Sequence, residues 1–356
     1  MESKYFLKSL KSDKDEWPYI GTGLAISPDG KFFVTATRTQ LRKWDLLNRT
    51  WKVLKSGSPP QSVAISPNSK LICTGSENLI ILLDLAGNVI RTFEGHTDDV
   101  LSVAFSPDGL TICSCDERFL KMWDVKTGTC LKTIDAQPDE DYSGVDLKIA
   151  FSPDGKTICT ANPMLGLDLW NTLTGEKINH FLETSRNGAF CVAFSPDGKM
   201  VCSGSGDVFK VQLYKTETGE LIKEFTGHTR IVKCVAFSPD GKWICSGSDD
   251  KTVRLWSLTG KDPIILTGHR DTVFCVAFSP KKDIILSGSS DGEIIMWANP
   301  EVTQSDRTAP IFSQLGIDLM KPTGDTRSDP LPGNLQRLPP ELRSLIAGYL
   351  PLKDIM

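Results

Sequence analysis

The sequence predicts an all-β chain: a seven-bladed β-propeller of four-stranded antiparallel blades. Three observations predict it. An apolar residue followed by Ser-Pro occurs seven times, at Ile26, Ile65, Phe105, Phe151, Phe194, Phe237 and Phe278, with spacings of 39, 40, 46, 43, 43 and 41 residues. A four-stranded blade repeats about every 40–45 residues. Eight residues after each apolar position stands Val34, Cys73, Cys113, Cys159, Cys202, Cys245 or Leu286. One residue further there is always a hydroxyl: Thr35, Thr74, Ser114, Thr160, Ser203, Ser246 and Ser287.

Each repeat reads as four short strands. The first is a short apolar run, as in Val235-Ala236-Phe237, which suits a buried strand. A turn follows near residues 27, 66, 106, 152, 195, 238 and 279, and in five units it is Ser-Pro-Asp-Gly. Proline presets φ at the second turn position, and glycine closes a type I turn. The second strand follows, as in Trp243-Ile244-Cys245-Ser246. The third ends in Trp44, Trp123, Trp170, Tyr214, Trp256 or Trp297, with Leu83 in the second unit. A Thr-Gly or similar turn leads to the fourth, such as Leu221 to Phe225. The seventh unit shows no fourth strand after Trp297, whereas Tyr5 to Leu10 alternates. This segment is expected to pair with the last blade and close the ring, leaving only short, protected sheet edges.

The repeats account for most cysteines. Five occupy the second-strand position that valine and leucine fill elsewhere, and Cys191, Cys234 and Cys275 share another, three before the phenylalanine. Interchange with valine and leucine marks reduced core residues rather than redox or metal groups. Cys115 and Cys130 fall outside the pattern. No Cys-x-x-Cys pair occurs. A net charge of −4 and a pI of about 5.7 do not suggest nucleic acid or an anionic membrane as a partner, since both reward clustered Lys and Arg. The N-terminus shows no secretion signal, and the longest apolar run, Leu79 to Leu83, is too short to span a bilayer. A cytoplasmic protein is expected.

The Gly-His, AFSPDG and SGSDD-K-T-V-R-L-W motifs together resemble the WD-repeat propeller family, over about residues 1–299. The resemblance implies a hydrogen-bond tetrad of His, Ser/Thr, Asp and Trp within a blade. By position, His228, Ser246, Asp250 and Trp256 form one, and His269, Ser287, Asp291 and Trp297 another. His96, Ser114 and Trp123 match three places of a third. That unit is one residue short before its tryptophan, so either Asp116 or Glu117 supplies the acid. Units 1, 2, 4 and 5 lack the histidine, so their blades are expected to rely more on packing.

His, Asp and Ser together also invite a hydrolase reading, but their recurrence at equivalent places in several blades is the mark of fold-supporting contacts. A zinc site from His96, His228 and His269 needs convergence on one ion, and these residues belong to different blades. No enzyme activity, metal or cofactor is expected. An enzyme using the propeller channel is the minor alternative.

The resemblance implies protein binding on the face that carries the loops entering each first strand. The matching positions are Ile20, Leu101, Leu147, Phe190, Ile231, Lys233, Thr272 and Phe274, mostly large and apolar. They either form an apolar patch suited to protein contact or turn inward to line the channel. The insert Asp135 to Asp146 (DAQPDEDYSGVD) lengthens one such loop and reads as a solvated charge run or a partner-specific loop.

Residues 300–334 have a linker composition. Residues 335–356 then begin a short helix: Pro340 suits its first position, and Leu342, Leu345, Ile346 and Tyr349 follow at helical spacing. Leu338-Pro339-x-Glu341-Leu342, with Ile346, Leu350 and Pro351, resembles the opening of an F-box, without its remaining helices. That resemblance implies recruitment of a Skp-type adaptor of cullin-based ubiquitin ligases through Leu338, Pro339, Leu342, Leu345, Ile346 and Leu350, with the propeller as substrate receptor. The alternative is a plain interaction scaffold with a structural C-terminal helix.

Overall fold

The structure, a computed structural model, describes residues 6–11, 20–37, 39–48, 50–56, 60–136, 146–181, 188–281 and 283–299. The chain divides into two units, Met1–Asn299 and Pro300–Met356. The described strands all lie in the first. The linker and the helical segment expected at 300–356, including Leu338, Pro339, Leu342, Leu345, Ile346 and Leu350, lie outside the described residues, as does 137–145 of the acidic insert.

Seven four-stranded antiparallel sheets follow one another along the chain. Their first strands are Ile20–Ile26, Pro60–Ile65, Ser102–Phe105, Lys148–Phe151, Ala189–Phe194, Val232–Phe237 and Val273–Phe278. Each packs beside the next, and that of blade 7 packs beside that of blade 1, so the sheets are arranged as blades of a propeller. Within a blade the second strand is the most buried: every residue of Trp243–Ser248 is buried. The fourth is outermost and mostly exposed, with Val89, Ile90, Leu131, Ile178 and Ile222 standing on the rim.

The repeated residues do the joining between blades. In the Ser-Pro-Asp-Gly turn the serine hydroxyl donates to the aspartate, as in Ser238 Oγ to Asp240 Oδ1 at 2.6 Å, and accepts the N–H of the second strand. The turn glycine sits against the proline of the preceding blade; a β-carbon at Gly155 would lie 3.3 Å from Pro107. On the second strand, the glycine after the hydroxyl lets the next blade approach. A β-carbon at Gly247 would lie 2.5 Å from Val273 of blade 7, a separation that forces a shift.

The cysteines lie in the same seams. Cys191 and Cys234 each direct Sγ at the first-strand carbonyl of the following blade, Val232 and Val273. Cys115, which the repeat left unassigned, does the same toward Leu147 O at 3.5 Å. Burial pushes up the thiols of Cys73, Cys113, Cys115, Cys159, Cys202, Cys234, Cys245 and Cys275, to about 12 at Cys115 and Cys275, so these stay protonated. Cys130 alone is exposed, and none of the ten forms a disulfide.

The fourth strand of the blade 7 sheet comes from the N-terminus. Phe6–Lys11, one residue later than the alternation suggested, runs antiparallel to Glu293–Ala298, with Leu10 opposite Ile294 and Lys11 opposite Glu293. Leu10 is buried in a cluster that joins Leu286 and Ile294 of blade 7 to Phe33 and Trp44 of blade 1.

Candidate interaction face and its supporting tetrads

In an antiparallel blade, the start of the first strand, the turn between the second and third, and the end of the fourth all lie at one end. These ends together make one face of the ring, the upper face. The tetrads sit just beneath it. His228 contacts Asp250 Oδ2 through Nδ1 at 2.7 Å and Ser246 Oγ through Nε2 at 2.8 Å, and Trp256 Nε1 donates to Ser246 Oγ at 2.8 Å. His269 repeats this with Asp291 (3.2 Å) and Ser287 (2.7 Å), and Trp297 donates to Ser287 at 2.7 Å. In blade 3, His96 reaches Asp116 at 2.7 Å and Ser114 at 2.6 Å, with Trp123 donating to Ser114 at 2.8 Å. The acid in that blade is Asp116, and it also accepts the N–H groups of Arg118 and Phe119, which closes the shorter turn.

The donors and acceptors fix the proton order. Indole N–H can only donate, so Ser246 accepts from Trp256. The Ser246 hydroxyl proton then points to His228 Nε2, and His228 Nδ1–H donates to Asp250. This requires a neutral imidazole. Burial lowers the proton affinity of His228 despite the facing carboxylate. Burial alone would raise Asp250, but the His228 and Thr252 donors outweigh it and hold that carboxyl well below the usual range.

Both shifts have the same consequence. A histidine depressed in the folded state is protonated first in the unfolded chain, so stability falls as pH drops through about 6.5. The depressed aspartate adds a loss that begins below about pH 4. The denaturation midpoint is therefore expected to be lower at pH 5 than at pH 7.5. Replacing His228 with Asn should shrink that difference, as measured by urea titration at both pH values.

Where histidine is absent, part of the network remains. Trp44 donates to Thr35 at 2.9 Å and Trp170 to Thr160 at 3.1 Å. Blade 2 has Leu83 in place of tryptophan, and Thr74 turns to the Ser62 carbonyl instead. Blade 4 holds the fourth histidine in a cluster that the repeat pattern did not signal. Asp168 is buried two residues before Trp170 and pairs with His180 at 2.7 Å and Lys177 at 3.0 Å. An acid where blade 6 carries Arg254 was the available clue. Among the described residues, no group of three or more His, Cys, Asp or Glu is arranged to hold a metal, and no helix is long and apolar enough to cross a membrane.

The positions expected to form the contact face divide. Leu101, Phe190, Ile231, Lys233, Thr272 and Phe274 are half-buried. Leu147 is buried at 1% exposure and packs with Cys115, Met122 and Ile134 of blade 3, which removes it from the face. Its strand begins only at Lys148 and pairs without a bulge, so Leu147 drops into the seam between blades. The side chain of Ile20 lies outside the described residues.

The chain is a seven-bladed β-propeller with a His–Ser–Asp–Trp tetrad in three of its blades. The WD40 family (WD domain, G-beta repeat) matches residues 87–124, 176–207, 219–257 and 260–298, and the chain carries WD40 repeats. It is 30% identical over 119 residues to COMPASS component SWD3 of Saccharomyces cerevisiae, covering 32% of this chain and 38% of that protein. It is 29% identical over 231 residues to Periodic tryptophan protein 2 of the same yeast, covering 63% of this chain and 24% of that protein. Cell division cycle 20.1, cofactor of APC complex, from Arabidopsis thaliana is 24% identical over 258 residues, covering 70% of this chain and 56% of that protein. The chain thus spans from about a quarter to just over half of the length of these relatives. WD-repeat proteins typically serve as scaffolds for protein interactions, and the family is generally non-enzymatic.

Proposed function

We propose that this chain is a protein-interaction scaffold whose upper face binds a protein partner. The observation that carries this reading is the set of large side chains, Leu101, Phe190, Ile231 and Phe274, left partly exposed around that face of the ring. A surface that is ordered before contact loses little side-chain entropy on binding. The tetrad histidines beneath it are occupied by internal hydrogen bonds, which leaves the face for contact rather than acid–base chemistry. The names of two relatives, a COMPASS component and a cofactor of the APC complex, are consistent with work inside assemblies. In the same reading, the N-terminal strand fastens the ring and keeps the face in one geometry.

Replacing Phe190 and Phe274 together with Asp is expected to abolish partner capture in affinity purification while the melting temperature stays close to that of the parent. Undiminished capture by the folded double variant rejects this face. The tail adds a narrower reading: the Leu338-Pro339-x-Glu341-Leu342 segment recruits a Skp-type adaptor, with the propeller as substrate receptor. Pull-down of that adaptor should depend on residues 335–356. Equal recovery by full-length and truncated chains, or none by either, removes the ligase link and leaves the scaffold reading intact.

A further inference from the structure

Phe190, Lys233 and Phe274 occupy one position in three consecutive blades, four residues before the repeat phenylalanine. In each first strand the register slips there: between Ala189 and Cys191, between Val232 and Cys234, and between Val273 and Cys275. Each is therefore the extra residue of a β-bulge. The residues on either side are buried in all three blades, whereas the bulged residue is only half-buried. Bulges re-aim a side chain away from the ladder and recur at functional sites. The core does not dictate what stands there, since blade 2 has Gln61 at the same bulge. Blades 3 and 4 show no such bulge in their first strands.

The three side chains form an arc in which a cation lies between two aromatic residues. Lys233 Nζ lies 4.8 Å from the centroid of the Phe190 ring and 4.0 Å from Asp249. The second distance is long for a hydrogen bond, so the ammonium retains donor capacity. Two exposed arginines flank it on the loops entering blades 6 and 7, Arg230 and Arg270. Their guanidinium groups have no acceptor among the described residues.

Of the neighbouring carboxylates, Asp249 faces Lys233 itself at 4.0 Å, and three others accept protein donors. Asp250 and Asp291 hold the tetrad histidines and the N–H groups of Thr229 and Arg270. Asp271 accepts the N–H of Thr272. The accessible chemistry is thus aromatic surface with cations that lack full partners, and its complement is a carboxylate beside an apolar group.

We propose that the arc of blades 5 to 7 recognises a protein segment in which an acidic residue neighbours an aromatic or large aliphatic one. The apolar side chain seats on Phe190 and Phe274, and the carboxylate on Lys233 with Arg230 or Arg270. This rests on the reading of the upper face as the partner surface and names the chemistry of that partner.

The test is selection of linear peptides from a phage-displayed random library by the full-length protein, followed by affinity measurement with synthetic peptides of the enriched sequence. Asp or Glu next to Phe, Trp or Leu is expected in the enriched set. Lys233→Glu should weaken binding at least about tenfold. Lys233→Met, which keeps the aliphatic stem over Phe190, should weaken it less; melting temperatures check that both variants fold. Enriched peptides without an acidic residue, affinity unmoved by Lys233→Glu, or no enrichment at all overturns the inference. If such acid-free peptides still lose binding in the Phe190→Asp/Phe274→Asp variant, the upper-face reading survives and only its chemistry fails. Peptides that bind that double variant as well as the parent sink both.

Discussion

Removing residues 1–10 is expected to lower the melting temperature by on the order of 10 °C. Four of the five residues through which the N-terminal strand pairs with Glu293–Ala298 lie within 1–10, and without them that strand becomes the bare edge of blade 7. Net hydrogen-bond contributions run at about 1 kcal/mol each. The loss of Leu10 adds about 2 kcal/mol and opens the cluster shared with Phe33 and Trp44. Edge strands elsewhere in the ring come from their own blade and are not exposed to such a loss. The N-terminal strand completes the same sheet that the last described strands of the propeller build, so damage there is expected to loosen blade 7 against blade 1. Differential scanning fluorimetry of the truncated and full chains decides it. Coincident melting curves would mean that β-pairing at the N-terminus does not fasten the ring.

Replacing Ser246 with Ala is expected to cost about 3 kcal/mol, more than the small volume change suggests. The Ser246 hydroxyl is fully buried and serves two groups, accepting from Trp256 and donating to His228. Its removal strands an indole N–H and an imidazole nitrogen where water does not reach. Thr160→Val in blade 4 provides the comparison. There Trp170 donates to the hydroxyl and no histidine completes the set, so a loss of about 1 kcal/mol is expected. Urea unfolding of both variants measures the contrast. Equal losses would show that the histidine adds nothing to the blade beyond the Trp–Thr bond.

Much of this architecture was legible in the residues. The Ser-Pro register located every first turn because a proline and a hydroxyl constrain the local backbone wherever they occur. The hydroxyl nine residues on was visible as an invariant, and its indole partner in five blades follows from the tryptophan near the end of the third strand in those blades. Blade 2 departs because Leu83 offers no N–H. The candidate face was less legible. Leu147 and Phe190 stand at the same repeat position, yet one is buried in a seam and the other half-exposed. The difference is a bulge in the register of two strands, and no residue type marks it. The Asp168, His180 and Lys177 cluster was missed for a related reason: it depends on which residues face each other across the third and fourth strands of a blade without a tetrad.

The seven-fold repeat that organises the chain is thus a property of the sequence alone. Turn chemistry, strand alternation and the hydroxyl register act over a few residues, and local sterics suffice to express them. Tertiary structure decided what the repeat left equivalent. It settled which carboxylate serves His96, which first strands bulge, and which cysteines reach across a seam. Those outcomes depend on how one blade packs against the next, and packing resolves a choice between neighbouring residues that local preference leaves open.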